Sequence, residues 1–263
     1  MKTIQYFCTG GETETGGILD FLNKINSNVR WVRAFPALKK GAKPKRSTDP
    51  SYRPMARTHT GVTGSSLVYE MKQILQLYPH QFKTTHCDGI LLIDDADCRF
   101  LVQGSIDTWY SQVSNDINSI LGEEIPFYVL IASPEIEAWF IADWQNSFGL
   151  EYDFAPGFEH QLKQHLKTRI LGSTDWENIE LFGGPVKNGA CTIKLSNEII
   201  NTFSDQTFLQ PFVKSYGEEL VRYKLKYSKK THGAAMLRRI DPQSVNKKCN
   251  SFFSSFYRML TDL

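Results

Sequence analysis

The chain has 263 residues, with 30 Lys and Arg against 28 Asp and Glu. That length buries a substantial core, and so even a charge balance neither demands nor excludes a polyanionic partner. No stretch reaches the roughly 18 apolar residues of a membrane span, the first residues lack the pattern of a signal peptide, and the five cysteines (Cys8, Cys87, Cys98, Cys191 and Cys249) form no C-x-x-C pair, so a soluble cytoplasmic protein without disulfide framework or zinc knuckle is expected.

In chain order, "TIQYFC" reads as a strand, Glu14 to Ile25 as a helix, "VRWVRAF" as an alternating strand and Leu67 to Leu77 as a second helix. "GILLI", at the head of "GILLIDDAD", is an apolar run of the kind buried on both faces of a parallel sheet. Residues 106–121 read as helix and "PFYVLIAS" as another buried strand; "SPEIEAWFIAD" opens a helix with Ser133 as N-cap and Pro134 in its first turn. The alternation predicts an α/β fold: an open, mostly parallel sheet with right-handed crossovers over residues 1–145. Residues 146–263 turn to helices broken by Gly, Pro and Asn, a mainly helical subdomain packed on the first. The last helix is capped by Asp241, followed by Pro242, and carries Val245, Cys249, Phe252, Phe253, Phe256 and Leu260 at helical spacing. No internal repeat is found. Residues 39–66 form a long, basic loop punctuated by Pro and Gly, of a length uncommon unless functional or disordered.

Ligands of open α/β sheets gather beyond the carboxyl ends of the strands. Three acidic groups fall there: Glu12 and Glu14 after the first strand, Asp94, Asp95 and Asp97 after the third, Glu135 and Glu137 after the fourth. Side chains two apart on an extended segment face one side, so Asp95 and Asp97 are expected to aim at one point about 7 Å along the chain, with Asp94 turned away. Like charges so placed call for a cation, and a hard divalent ion with oxygen ligands is the usual answer. The plainer reading stands beside it: acids after strands cap helices and solvate turns, and a glutamate in a first helical turn complements the helix dipole. "GGETETGG" fits neither G-x-G-x-x-G nor G-x-x-x-x-G-K-[ST], and its glutamates would repel a phosphate.

"GGETE", "LLIDDADC", "SPEIEAWFIAD" and the tail "YSKKTHGAAMLRRIDPQSVNKKCNSFF" resemble the Toprim-like proteins of the RloB and OLD-nuclease kind. The resemblance extends to a domain-of-unknown-function family of that group, encoded with ABC-type or AAA ATPases in bacterial defence loci. It implies a Toprim-like sheet and Mg²⁺ (or Mn²⁺) held by Asp95 and Asp97. Asp94 or Glu137 would be a further contact, and Glu12 would serve as acid/base. The family's glutamate before glycine falls here on Thr9 or Gly10, a departure that puts cleavage itself in question.

Seven cations lie on the long loop: Lys39, Lys40, Lys43, Lys45, Arg46, Arg53 and Arg57. They could neutralise phosphates, each contact steepening the salt dependence by a logarithmic slope of about 0.9, or could simply be solvated. A second strip, "RYKLKYSKKTH", interleaves Arg222, Lys224, Lys226, Lys229 and Lys230 with Tyr223 and Tyr227, which suits a nucleic-acid backbone or inward packing of the tyrosines. His232 could contact a phosphate or be a structural turn histidine. His160 and His165 do not share a helix face, so histidine ligation of metal has no support. Trp139 and Phe140 are core candidates.

The leading expectation is a metal-dependent nuclease cleaving DNA or RNA, the effector of an ATPase-associated antiphage defence system. The alternative is a non-catalytic binding or sensor subunit with a degenerate site. A third reading is another metal-assisted phosphoryl-transfer enzyme acting on a nucleotide.

Overall fold

A computed structural model describes residues 1–9, 11–36, 62–97, 99–100, 106–169, 179–181, 186–187, 190–191 and 193–263. Four strands, β1 (Lys2–Cys8), β2 (Val29–Phe35), β3 (Gly89–Asp95) and β4 (Phe127–Ala132), form one sheet in the order β2-β1-β3-β4, with every neighbouring pair parallel. Parallel neighbours need crossovers. These carry α1 (Glu12–Ile25) between β1 and β2, α2 (Gly64–Leu77) and the short α3 (Pro79–Phe82) before β3, and α4 (Ile106–Leu121) before β4. The expected α/β fold with an open parallel sheet is what forms. Because the chain leaves β1 to one side for β2 and returns to its other side for β3, the strand order reverses between β1 and β3. Their carboxyl ends flank the crevice where such sheets bind ligands.

Strand alternation divides the core. Ile4, Tyr6, Leu91, Ile93, Leu130 and Ala132 face one side, with Phe21 and Leu22 of α1 and with Trp139 and Phe140. Phe7, Ile90, Leu92, Val129 and Ile131 face the other, against Leu67 and Met71 of α2 and Val113 and Ile117 of α4. Trp139 is fully buried, stacked on Phe21 with ring centroids 5.1 Å apart.

The second half of the chain feeds the first of these clusters. It comprises α5 (Glu137–Ala142), α6 (Phe148–Glu151), α7 (Phe158–Arg169), a small antiparallel hairpin of β5 (Val186–Lys187) and β6 (Ala190–Cys191), then α8 (Leu195–Thr202), α9 (Gln206–Tyr216) and α10 (Glu218–Lys224). A wide helical turn, Lys229–Gly233, leads into α11 (Ala234–Arg239), α12 (Pro242–Lys248) and α13 (Phe253–Thr261). Met236, Leu237, Val245 and Leu260 join the α1 side of the sheet, whereas Phe252 and Phe256 join the opposite side. No helix among the described residues is long and apolar enough to cross a membrane.

Two local expectations are corrected. Ser133 does not cap a helix: α5 begins at Glu137, and the Ser133 hydroxyl donates instead to the Glu180 carbonyl at 2.8 Å. The final helix is two helices rather than one. Asp241 does cap α12, accepting from the Gln243 amide at 3.1 Å. The chain then breaks after Lys248, and the amides of Ser251, Phe252 and Phe253 donate to the Glu180 carboxylate at 2.5, 3.0 and 2.7 Å. A buried acid from 71 residues upstream thus starts α13, which no local pattern announces.

Leaving buried amides without acceptors costs about 1–3 kcal/mol each. Glu180→Ala is therefore expected to destabilise the protein by roughly 3 kcal/mol or more, lowering the melting temperature by at least about 6 °C. Glu180→Gln, which keeps one acceptor oxygen, should fall between. An unchanged melting temperature for Glu180→Ala, measured by scanning calorimetry, would show that Glu180 does not hold the start of α13.

Candidate functional site: an acidic rim at the carboxyl edge of the sheet

The rim starts from α1. Gly16 and Gly17 are not a phosphate loop: they lie inside α1, where a Cβ on Gly17 would come within 2.8 Å of the Ala234 carbonyl oxygen and of the Leu237 side chain. At the head of the same helix, the Thr13 hydroxyl donates to the Lys229 carbonyl at 3.1 Å, and a Cβ on Gly233 would sit 2.6 Å from that hydroxyl oxygen. Small residues on both partners therefore let the Lys229–Gly233 turn lie directly on the start of α1. Lys229 is delivered to the strand ends as a result.

Around it gather acids from three chain segments. Glu137 is 1 % exposed; its Oε1 accepts from the Tyr227 hydroxyl at 3.2 Å and lies 3.7 Å from Lys229 Nζ. Glu135 accepts from both the amide and the hydroxyl of Ser196 at 2.9 Å, with Lys229 Nζ 3.8 Å and Lys194 Nζ 4.0 Å away. Glu14 is buried at the head of α1. Asp95, last residue of β3, accepts from the Ile136 amide at 3.1 Å.

Their protonation shows the crowding. Burial raises Asp95 well above the ordinary aspartate value, and Glu14, Glu135 and Glu137 add to the rise by like-charge repulsion. Burial likewise pushes Glu137 up to about 7, against the pull of Lys229 and with Glu135 and Glu14 adding to the rise. Glu14 is raised by burial as well, while the Thr9 hydroxyl and Lys229 oppose the shift. Burial works against the Lys229 ammonium, yet Glu137, Glu135, Asp95 and Glu14 hold its pKa above the usual lysine value.

The Asp95 and Asp97 pair departs from expectation. The extended segment ends at Asp95, and Asp97 adopts a left-handed φ of 46° with its amide on the Pro134 carbonyl at 2.9 Å. Strand alternation therefore does not govern where Asp97 points. Its carboxylate pairs with Lys194 at 3.0 Å, while the groups acting on Asp95 are Glu14, Glu135, Glu137 and Asp94. Asp94, expected as a further ligand, is engaged elsewhere. Both its oxygens accept from the Gly64 amide at 3.0 Å, and one takes the Arg99 guanidinium at 2.6 Å, binding the head of α2 to β3.

Among the remaining expected residues, Glu12 opens α1, but its side chain lies outside those described. Lys39, Lys40, Lys43, Lys45 and Arg46 also lie outside them, with Arg53 and Arg57. Lys230 is exposed. Of the two readings of His232, the contacts favour the structural turn histidine: its Nδ1 accepts from the Ser228 amide at 3.0 Å, and burial lowers its pKa, which fits a neutral ring. Sequence reasoning missed Lys194 and Ser196 and placed Lys229 on an outer strip; the inward packing it offered for the tyrosines holds for Tyr227 and not for Tyr223. Ser196 meets Glu135 across 61 residues, with no motif around it to mark the contact.

Hard carboxylate oxygens with too few cations suit a divalent metal ion in chemistry. Among the described residues, however, no three His, Cys, Asp or Glu side chains are placed to hold one, and Lys229 reaches two of the acids instead. Compared with protein-family models, curated protein sequences and solved structures, the chain matches none.

Raised acid pKa values mean that the folded state binds protons more tightly than the unfolded one between ordinary carboxylate values near 4.5 and about 7, so stability falls as pH rises through that window. In metal-free buffer, the melting temperature of Glu137→Gln relative to wild type should therefore climb from about pH 5 to about pH 8, by several degrees. A difference that stays flat or reverses would show that Glu137 is not held protonated by its surroundings.

Proposed function

We propose that the acidic rim is the active site of a divalent-cation-dependent phosphodiesterase acting on DNA or RNA. The observation that carries this reading is the crowding of Glu14, Asp95, Glu135 and Glu137 from three separate chain segments at the strand-order reversal, with Lys194 and Lys229 the cations against them among the described residues. Such an arrangement disfavours its own ionisation and is relieved by added positive charge. The resemblance to Toprim-like nucleases of defence systems supplies the reaction class, and with it an ATPase as the expected partner.

An added ion would be drawn to Asp95, on which Glu14 acts by like-charge repulsion, although no three of the described acids are placed to hold one as they stand. A bound divalent ion supplies charge neutralisation on a phosphate oxygen and a more acidic water. Glu137, with a pKa of about 7, is suited to exchange a proton near neutral pH. The Tyr227 hydroxyl fixes the carboxylate that does so. Lys194 sits at the outer edge, exposed enough to meet an incoming phosphate.

One observation favours the second reading, a binding or sensor subunit that does not cleave. Lys229 Nζ lies within 4 Å of both Glu135 and Glu137, so a resident ammonium takes part of the cation's role. With Thr9 or Gly10 standing where the Toprim-like proteins it resembles carry a glutamate, such a site would bind without turning over.

The two readings separate in one set of measurements with plasmid DNA and with RNA, in Mg²⁺, Mn²⁺ or EDTA, alone and with an ATPase encoded beside this chain, where its genome carries one. Catalysis predicts metal-dependent cleavage that Asp95→Asn and Glu137→Gln each reduce by at least about a hundredfold, together with a Mn²⁺-induced rise in melting temperature that Asp95→Asn abolishes. Nucleic-acid binding with neither cleavage nor a Mn²⁺ effect supports the binding subunit.

A further inference from the structure

The basic, tyrosine-bearing strip splits into two kinds of residue. Tyr227 is 8 % exposed and spends its hydroxyl on Glu137, whereas Tyr223, four residues earlier, is 72 % exposed. Most of the Tyr223 ring is left open by the described residues, with the Lys226 ammonium 5.1 Å from the ring centroid. Arg222, Lys224, Lys226 and Lys230 are all exposed, and none forms a salt bridge with another described residue. Lys224 lies over the Phe154 ring at 5.1 Å. The acids nearby, Glu218 and Glu219, occupy the first turn of α10, where they complement its dipole.

We propose that Tyr223 and Lys226 form a stacking platform for an unpaired base of a single-stranded nucleic acid, whose backbone follows Arg222, Lys224 and Lys230 toward Lys229 at the acidic rim. The proposal deepens the phosphodiesterase reading and rests on it for what happens at the end of the path. An exposed aromatic ring beside unpaired cations is the combination that binds single strands, because every base offers a π face and every linkage a charge. A duplex keeps its bases stacked on one another and offers the ring no such face. The geometry joins platform to rim. Lys226 and Lys229 are three residues apart, at most about 11 Å of chain, and the Lys226 carbonyl is pinned by the Tyr152 hydroxyl at 2.8 Å. An acidic protein segment could be drawn by the same charges, but it would have no use for an open ring face.

The test is fluorescence anisotropy of the full-length protein with a short fluorescein-labelled oligothymidylate and with a labelled duplex, in EDTA so that nothing is cut. Tyr223→Ala should weaken single-strand binding about five- to a hundredfold while Tyr223→Phe, which keeps the ring, restores it, and duplex binding should change less than about twofold. Lys226→Ala should weaken the single strand and flatten its salt dependence. Equal losses for duplex and single strand, unchanged affinity in Tyr223→Ala, or no single-strand binding at all would each overturn the platform; the first would leave a purely electrostatic surface of the kind an acidic protein also fits. Since binding is read without metal, absence of cleavage under every condition sinks the phosphodiesterase reading while a Tyr223-dependent affinity keeps the platform. Intact cleavage with a Tyr223-independent affinity does the reverse.

Discussion

Buried carboxyl groups cannot share a small volume unless protons or cations accompany them, and this constraint organises the carboxyl edge of the sheet. Glu14, Asp95, Glu135 and Glu137 are supplied by three segments that have no choice but to meet there, since parallel strands deliver all their following loops to one edge. The protein answers the resulting repulsion in three ways. It withholds ionisation, at Asp95 above all and at Glu137; it spends hydrogen-bond donors, as with Ser196 on Glu135; and it brings in Lys229 and Lys194. Each is partial, since like-charge repulsion still adds to the raised pKa values of Asp95 and Glu137. Asp94 shows the contrasting case: with Arg99 and the Gly64 amide to itself, it is a satisfied structural acid one residue away.

Bringing Lys229 into place requires the far end of the chain to lie on the near end. The side chains of ordinary residues would hold two helices 8–10 Å apart, whereas Gly16, Gly17 and Ala234 remove that padding at the contact between α1 and α11. Lys24 strengthens the same contact, its ammonium donating to the carbonyls of Arg238, Arg239 and Ile240 at 2.6, 2.8 and 3.0 Å, the free acceptors at the end of α11. The glycines of "TETGG" therefore matter to the site at one remove. They permit a packing distance, and the packing distance positions a charge.

The second half of the chain completes the sheet's burial as well as its edge. Its helices share the hydrophobic cluster of α1, and the segment that carries Phe252 and Phe256 reaches the opposite face. Glu180 fixes that passage by capping α13 while its own carbonyl holds Ser133 beside the rim. A single buried acid thus ties the C-terminal helices to the loop that carries Glu135.

Local pattern alone determined the four strands, their parallel arrangement and the acids at their ends, because periodicity and apolar runs are written in consecutive residues. It also determined that Asp94 turns away from Asp95, a consequence of strand geometry. It could not determine Asp97, whose left-handed turn ends the alternation, nor the break before α13, which needs Glu180. Which acids share a volume, and which lysines enter it, were decided by tertiary contacts spanning 61 residues for Ser196 and Glu135 and 216 for Thr13 and Lys229. The physical reason is that an electrostatic site depends on distances through space. Sequence fixes those distances only after helices without any local signature for one another have packed.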